Sequence, residues 1–352
     1  MSSDKVIGWD IGGAHIKLAC ATSANNIEYV EQIACPLWKG IDELDQAIAS
    51  INNKYDLQAA KHSITMTGEL VDCFADRKQG VIKVSQQMQN LLGDAKAVFF
   101  AGQQGMIAKS SVEQMYAEIA SANWLASAKY TANKIDNALF VDIGSTTTDI
   151  VNIKDAEVVF EGFSDEDRLY AQELVYCGVV RTPVFALCKT APIKNRFIPV
   201  INEYFANAAD VYRLSNELPL HADMSDTADG EGKDTIASAR RLARMFANDI
   251  NKDDIEAWQT VANYVREQQI QLILNACRVK LTKVLPALDA PVIGAGVGRF
   301  LSKELAKRLN RPYIDFASLL NTNLDNEHKG VDIGDCAPAC AVACLGYQEY
   351  HA

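Results

Sequence analysis

Two glycine turns, each preceded by an aspartate, are the parts of this chain best suited to bind phosphate. Asp10 follows the apolar run at residues 6–9 and precedes a glycine pair, and Asp142 follows a second apolar run and precedes Gly144. Glycine lets the backbone come close to a phosphate, and successive N–H groups form an anion-binding concavity. An aspartate at a strand end can hold Mg²⁺ through water, although it can also simply cap local N–H groups. Because the pattern occurs twice, the sequence predicts a phosphate-binding hairpin used in two places.

Side chains around these turns extend the predicted site. Lys17 lies two positions after His15 on the outgoing strand, so both share a face, and a phosphate contact by Lys17 competes with a solvated strand lysine. Arg181 is suited to bind a pyrophosphate or a substrate carboxylate through two parallel hydrogen bonds. The predicted phosphate-binding residues are Gly12, Gly13, His15, Gly144, Ser145, Thr146, Thr147 and Arg181; the predicted catalytic residues are Asp10, Asp142, Glu69, Asp72 and Lys17; the predicted Mg²⁺ ligands, through water, are Asp10 and Asp142.

Glu69 and Asp72 follow a buried strand-like run at residues 63–67. If the segment is helical, residues three apart lie on one side of a turn. We therefore expect a pair of carboxylates that act as a base or bind Mg²⁺. The alternative is a pair that caps the start of a helix.

A third glycine-rich element lies near the C-terminus. Gly294, Gly296 and Gly298 end an apolar strand that runs into a helix-like segment at residues 300–309. A dinucleotide site would want an acidic residue at the end of a strand about 20 positions further on, and the sequence pattern indicates no such strand end there. The three glycines are therefore predicted to line a pocket of the kind that holds adenosine.

Alternating strands and helices must position these groups, which indicates α/β layers. The sequence predicts a hairpin at 5–20, strands at 27–34, 63–67 and 97–101, a second hairpin at 139–153, and helices at 44–51, 112–130, 234–246, 253–285, 300–309 and 335–349. The helix beginning near Asp234 is expected to turn Ile236, Ala239, Leu242, Ala243 and Phe246 inward, and Pro286 to end the long helix. The predicted domains are 1–135, 136–335 with an insertion at about 160–255, and a C-terminal helix at 336–352 that crosses back to the first lobe.

The composition excludes several classes of protein. Hydrophobic residues make up 49% and charged residues 22% of the 352 residues, which is ordinary for a soluble globular protein. A net charge of −11 argues against a nucleic-acid surface. No apolar stretch is long enough for a membrane span, and the first strand begins too early to leave room for a signal peptide. Nine cysteines without a paired framework indicate reduced thiols and a cytoplasmic protein; a homo-oligomer is left open.

Three of these cysteines form one stripe of the C-terminal helix. Cys336, Cys340 and Cys344 are four apart and alternate with alanines. We interpret them as small residues at a close helix contact, and a metal site as the weaker alternative because the usual metal-site spacing is absent.

Taken in order, the three glycine motifs resemble the phosphate-1, phosphate-2 and adenosine motifs of the actin, sugar kinase and Hsp70 ATPase superfamily. The resemblance implies a two-lobed, ribonuclease H-like α/β architecture with a ligand cleft between the lobes. His15 stands where sugar kinases of the superfamily often carry threonine, which argues against ordinary handling of the ATP γ-phosphate.

Longer phrases narrow the resemblance to one family. They are TMTGELVDCF at 65–74, ANWLA at 122–126, DIGSTTTDI at 142–150, ELVYCGVVRTP at 173–183 and TADG at 227–230. Together they resemble the tetrahydromethanopterin-linked one-carbon transfer pathway proteins, relatives of the hydantoinase/oxoprolinase group. The resemblance implies a transferase of methanofuran, or bacterial analogue, biosynthesis. It would couple a furan-methanol diphosphate to the phenol oxygen of a glutamylated tyramine-type acceptor and release pyrophosphate, with Mg²⁺ as cofactor and no need for ATP. Asp229 could then bind a substrate amine, against the alternative of a solvated loop.

Two other functions compete with this transferase. The superfamily motifs also suit an ATP-dependent small-molecule kinase or a hydantoinase-like ATPase, in which ATP would be the cofactor. A nucleotide-switched scaffold of the actin kind is the third hypothesis.

Overall fold

The computed structural model describes residues 5–251, 254–284, 289–322 and 330–352. The chain forms two compact units. The first comprises Met1–Asp136, Ile153–Val158 and Asp315–Ala352, and the second comprises Asn137–Asn152 and Val159–Ile314. Each unit contains a mixed sheet with helices, so the predicted two-lobed α/β fold class is confirmed. The chain returns to the first unit at Asp315, earlier than the 336 expected from the sequence.

The elements follow one another in chain order. The part of the chain up to residue 136 contains β1 (Val6–Ile11), β2 (His15–Ser23), β3 (Asn26–Ala34), α1 (Asp42–Asn52), β4 (Lys61–Met66), α2 (Arg77–Leu92), β5 (Ala97–Phe100), β6 (Met106–Ala108), α3 (Tyr116–Ile119) and α4 (Asn123–Ala132). The rest contains β7 (Ala138–Ile143), β8 (Thr148–Lys154), β9 (Glu157–Val159), α5 (Asp165–Tyr170), β10 (Leu174–Val175), α6 (Val184–Leu187), β11 (Thr190–Ile193), β12 (Arg196–Pro199), α7 (Ala208–Leu214), α8 (Thr235–Arg244), α9 (Ile255–Lys283), β13 (Val292–Ala295), α10 (Arg299–Arg308), β14 (Tyr313–Asp315), β15 (Asn321–Thr322) and α11 (Ala337–His351).

The sheet of the first unit has the strand order β15-β3-β2-β1-β4-β5-β6. β1 is antiparallel to β2 and parallel to β4. The second unit repeats part of this layout, because its main sheet has the order β10-β8-β7-β13-β14 with β9 beside β8. In both sheets the glycine turn therefore joins a central strand to its antiparallel neighbour.

The two faces of β1 pack against different partners. Alternate residues, among them Ile7, Trp9 and Ile11, enter the apolar core shared with α1 and α2. The opposite face carries Gly8, where an added Cβ would lie 2.5 Å from the Ala343 nitrogen on α11. Strand alternation thus buries both faces, as expected for a central strand.

Small residues on α11 make this close approach feasible. Cys336, Cys340 and Cys344 are all buried, and burial raises the pKa of the Cys344 thiol to about 12. Ser63 on β4 donates to the Val342 carbonyl at 2.6 Å. The interpretation of the cysteine stripe as a close helix contact is confirmed.

Three expectations about the helices need correction. The helix predicted at 112–130 is broken into α3 and α4, with Ser121 in the left-handed region at φ 52° between them. Ile236 is 40% exposed instead of buried, and Phe246 is buried but lies beyond the end of α8. α9 occupies the predicted long helix, while Asp253, Leu285 and Pro286 lie outside the described residues. None of the helices in the described ranges has the length and apolar character needed to cross a membrane.

A buried histidine of the first unit makes stability depend on pH. His62 is fully buried; its Nδ1 accepts from the Trp9 indole at 3.0 Å, and its Nε2 lies 2.8 Å from the Leu57 carbonyl. An indole can only donate, so the ring is neutral with its proton on Nε2. Burial lowers the His62 pKa from 6.5 to about 4, opposed by the hydrogen bond to Leu57.

Below pH 6.5 His62 binds a proton in the unfolded chain but stays neutral in the folded one. The contribution of neutral His62 to the free energy of unfolding is therefore fully present above pH 6.5 and is lost as the pH falls towards 4. We expect a cost of about 2 kcal/mol at pH 5 relative to pH 7.5 from this one group. Urea unfolding of the wild type and of His62→Gln at both pH values measures it. Equal losses in the two proteins would contradict the assignment.

Candidate phosphate-binding turns

The first turn, residues 12–14, joins β1 to β2. The Gly12 N–H donates to the His15 carbonyl at 3.0 Å, while Gly13 and Ala14 accept backbone hydrogen bonds from Leu37 and Cys35. The N–H groups of Gly13 and Ala14 donate to no acceptor among the described residues. The turn itself uses the Gly12 N–H as a donor, so Gly12 is less suited to bind phosphate than its neighbours, and its role stays a prediction. Gly13 stays a predicted phosphate donor, and Ala14, which the sequence reasoning missed, joins it.

The second turn, residues 144–147, has the same hydrogen-bond pattern. The Gly144 N–H donates to the Thr147 carbonyl at 2.9 Å, so it too is less suited to bind a ligand. Within the part of the chain that the structure describes, the N–H groups of Ser145 and Thr146 donate to no acceptor. Two adjacent unused N–H groups therefore recur at equivalent positions of both turns. These pairs suit an anion, since backbone N–H groups in a turn carry positive partial charge.

An aspartate ends the strand before each turn. Asp10 and Asp142 are each 8% exposed, and Asp10 lies opposite Lys17 of β2 and Thr65 of β4. Asp142 pairs with Ala295 of β13. Magnesium usually takes one or two carboxylates and completes its shell with water and substrate phosphate. Asp10 and Asp142 each place such a carboxylate beside a turn, which fits a Mg²⁺ held through water. Among the described residues, no group of three or more His, Cys, Asp or Glu side chains could hold a metal ion directly.

Lys17 and His15 point from β2 to the same side as Asp10. The Lys17 Nζ donates to the Asp335 carbonyl at 2.7 Å, just before α11 begins. A phosphate contact by Lys17 stays a prediction. His15 is buried beside the first turn.

Glu69 and Asp72 do not form the expected pair. A 3₁₀ turn spans only Gly68–Leu70, and Val71 is already extended. Glu69 is buried and accepts from the Ser121 hydroxyl at 2.8 Å, whereas Asp72 is exposed. The prediction of a shared helical side is wrong because the chain leaves the helical conformation between the two residues.

The three C-terminal glycines are all buried and allow close packing. A Cβ at Gly294 would meet the Tyr313 ring at 2.6 Å, and one at Gly298 would meet Ile143 at 2.5 Å. Gly296 has φ +77°, a conformation that favours glycine, and a Cβ there would collide with Asp142 and Ile143. The structure thus places Gly296 directly beside the second aspartate. One expectation about these glycines is wrong: β14 ends at Asp315, so an acidic residue does close a strand about 20 positions further on. The adenosine-like pocket stays a prediction.

Residues 178–182 hold the second turn in place, a role that the sequence reasoning did not assign. The N–H groups of Val180 and Arg181 both donate to the Ser145 carbonyl, at 3.1 and 2.9 Å. Gln269 of α9 donates to the Gly178 carbonyl at 3.0 Å and accepts from the Tyr212 hydroxyl at 3.0 Å. Gly178 lies in the sequence phrase at 173–183, so that part of the support could have been noticed. The role of Gln269 could not, because nothing in a single sequence marks one glutamine of a long helix as buried. The Arg181 side chain itself is exposed.

Gly178→Ala should displace the second turn. A Cβ at this position would lie 2.5 Å from both the Gly144 oxygen and the Thr146 nitrogen. These are backbone atoms, so the turn must move, and we expect a loss of about 1–3 kcal/mol in unfolding free energy. Hydrogen exchange should also accelerate at Gly144, Val180 and Arg181, whose N–H groups make the hydrogen bonds that hold the turn. The matched control is Gly232→Ala, where the nearest atom is the Asp234 carboxylate at 3.2 Å; similar behaviour of the two variants would contradict the packing argument.

The suggestion that Asp229 binds a substrate amine is not supported by its surroundings. Its carboxylate accepts from Arg241 at 3.0 Å and from Arg244 at 2.9 Å. Burial alone would raise the Asp229 pKa, but the hydrogen bond from Arg241 and further donors lower it overall. Asp229 therefore binds the acidic loop at residues 221–234 to α8 through these two arginines.

Comparisons with known proteins identify the family. The model of the hydantoinase/oxoprolinase family matches residues 61–318. The chain is 35% identical over 253 residues to the (4-{4-[2-(gamma-L-glutamylamino)ethyl]phenoxymethyl}furan-2-yl)methanamine synthase of Methanocaldococcus jannaschii, covering 71% of this chain and 74% of the relative. It is 29% identical over 226 residues to the synthase of the same name from Methanococcus vannielii, covering 64% of this chain and 98% of the relative.

Among solved structures, nucleotide-free acetone carboxylase aligns with a TM-score of 0.54 at 10% identity, over 97% of this chain and 70% of that one. At this identity the similarity concerns the fold alone. The resemblance inferred from the sequence phrases is confirmed. The chain belongs to the hydantoinase/oxoprolinase family and is a homologue of the methanogen furan-methanamine synthases.

Proposed function

We propose that this chain is a transferase that forms an aryl furylmethyl ether in the biosynthesis of methanofuran or a related cofactor. The carrying observation is the 35% identity over 71% of the chain to a synthase whose name describes a furan joined through a phenoxymethyl group and bearing a methanamine. In the proposed reaction the bond between the furylmethyl carbon and a diphosphate oxygen breaks. Its electron pair leaves with pyrophosphate, the phenol oxygen bonds to the carbon, and the phenol proton passes to a base.

The turns support this reaction because its main demand is stabilisation of the departing pyrophosphate. The N–H pairs at Gly13 and Ala14 and at Ser145 and Thr146 are preorganised donors, and such donors are among the strongest contributors to catalysis. Mg²⁺ held through water at either aspartate, Asp10 or Asp142, would neutralise charge on the leaving group.

A buried carboxylate close to the first turn is the proposed proton acceptor. Glu69 follows Gly68, where a Cβ would lie 3.2 Å from the Gly12 carbonyl carbon. Asp72, being exposed, is less suited to a reaction from which water must be excluded. We therefore assign the phenol proton to Glu69.

The second candidate is an ATP-dependent kinase or a hydantoinase-like ATPase. The match to the hydantoinase/oxoprolinase family model supports its hydantoinase-like form. The same N–H pairs would then bind the phosphates of ATP. The two candidates differ in the ligand they require, so binding separates them before any substrate is synthesised.

Calorimetric titration with Mg-pyrophosphate and, separately, with Mg-ATP is the first test. Pyrophosphate binding without ATP binding is the result expected of the transferase. A synthetic aminomethyl-furan-methanol diphosphate and a glutamyl-tyramine should then give the ether and one equivalent of pyrophosphate, measured by mass spectrometry and a coupled phosphate assay. Tight ATP binding with ADP release, and no ether, would transfer the assignment to the ATP-dependent candidate.

A further inference from the structure

Ser121 has a backbone conformation that serine rarely adopts. It lies between α3 and α4 with φ 52°, and a non-glycine residue in this region is under strain. Strain of this kind persists only when the surrounding structure maintains it, and it concentrates at functional sites. At Ser121 the conformation interrupts a segment whose sequence is otherwise suited to one continuous helix.

The strained residue makes a buried hydrogen bond to a carboxylate. The Ser121 Oγ donates to Glu69 Oε1 at 2.8 Å, and the two residues are 7% and 1% exposed. A buried carboxylate is costly unless it is hydrogen-bonded, and a hydroxyl donor on one oxygen also fixes the direction in which the group points. The break between α3 and α4 therefore places the Ser121 hydroxyl within hydrogen-bond distance of Glu69, which lies 52 positions earlier in the chain.

The backbone of Glu69 is fixed relative to the first turn. The Thr67 N–H donates to the Ile11 carbonyl at 2.9 Å, and a Cβ at Gly68 would lie 3.1 Å from that same oxygen. On the other side, Gly80 of α2 packs so closely that a Cβ would lie 2.8 Å from the Glu69 Cα. With the main chain held on both sides, the side-chain torsions are the remaining freedom of Glu69, and Ser121 acts on them.

We propose that Ser121 is a positioning residue that orients the Glu69 carboxylate beside the first turn for proton transfer, an inference that rests on the proposed function. Ser121 itself does not touch the substrate. Its removal should therefore affect the rate of the bound complex more than substrate affinity. A purely structural serine would instead lower stability and leave kcat of the folded enzyme unchanged.

The test compares two replacements that both tolerate the left-handed conformation. Ser121→Gly removes the hydroxyl, and we expect kcat to fall about tenfold or more with KM changed less than about twofold. Ser121→Asn keeps a side-chain donor, since asparagine visits this conformation readily, and should recover most of the rate. Asn216→Gly, at another left-handed residue with φ 59°, controls for strain relief and should leave kcat unchanged.

A double-mutant cycle with Glu69→Ala shows whether Ser121 acts through Glu69. Ser121→Gly should cost nothing further in the Glu69→Ala background. An equal loss in both backgrounds, or no recovery by Ser121→Asn, would overturn the inference while leaving the proposed function intact. If the wild type forms no ether, the proposed function fails on its own. In that case the free energies of unfolding of the two single variants and the double variant test the coupling between Ser121 and Glu69. If the losses caused by the two single substitutions simply add in the double variant, the coupling is absent and the inference is overturned.

Discussion

Asp142→Asn should lower the rate of ether formation by about 10²–10³-fold, and Asp10→Asn by a similar factor, the size typical for loss of one preorganised electrostatic group. Each aspartate ends the strand before a turn with two unused N–H groups. Asparagine keeps the shape of the side chain but removes the negative charge that would hold hydrated Mg²⁺. The loss should appear in kcat with saturating substrate and in the affinity for Mg-pyrophosphate.

The control substitution is made at Asp72, another carboxylate that the sequence predicted to be catalytic. Asp72 is exposed, so Asp72→Asn should change the rate less than about twofold, as is usual for a surface substitution. Circular dichroism and unfolding of all three variants would show whether folding is preserved. Wild-type coupling rates in both Asp10→Asn and Asp142→Asn would remove the basis for the assigned site.

Lys280→Met should destabilise the second unit by about 3–5 kcal/mol, the usual cost of removing one partner from a buried ion pair. Lys280 is 1% exposed on α9, and its Nζ lies 2.6 Å from Glu173 and 2.7 Å from Glu161. Glu173 is fully buried and also accepts from the N–H groups of Glu161 and Gly162. Without Lys280, Glu173 stays buried with its charge no longer balanced, and two backbone N–H groups depend on it.

Lys283 is the matched control, one turn further along the same helix. It pairs with Glu161 at 2.8 Å but is 44% exposed, so Lys283→Met should destabilise the protein far less than Lys280→Met does, because solvent screens an exposed ion pair. Adding Glu173→Gln to Lys280→Met should recover part of the loss, because the buried charge is then gone. Thermal and urea unfolding of the four proteins measure these differences. A loss below about 1 kcal/mol for Lys280→Met would show that the pair is not structurally required.

Local patterns in the sequence were sufficient for several of the elements and for the duplication, but not for α2 or for the break between α3 and α4. The glycine turns after Asp10 and Asp142 were predicted correctly as hairpins because strand alternation and turn chemistry are short-range properties. The same holds for α9 and for the packing stripe of α11, whose periodicity is written in consecutive residues. The family, too, followed from phrases read directly along the chain.

The tertiary structure decided which groups have partners. Gly12 and Gly144 use their own N–H groups within the turns, Asp229 is held by arginines of α8, and Glu69 is separated from Asp72 and bonded to Ser121. Each of these outcomes depends on contacts between residues far apart in sequence or on a single backbone torsion. Contacts and torsions of this kind leave no periodic pattern of residues that could be recognised in the sequence. The sequence alone therefore determined the fold class, the family and the position of the two turns. Only packing and hydrogen bonding in three dimensions decided which of their polar groups are left to meet a ligand, because a donor's availability depends on every other group that can reach it.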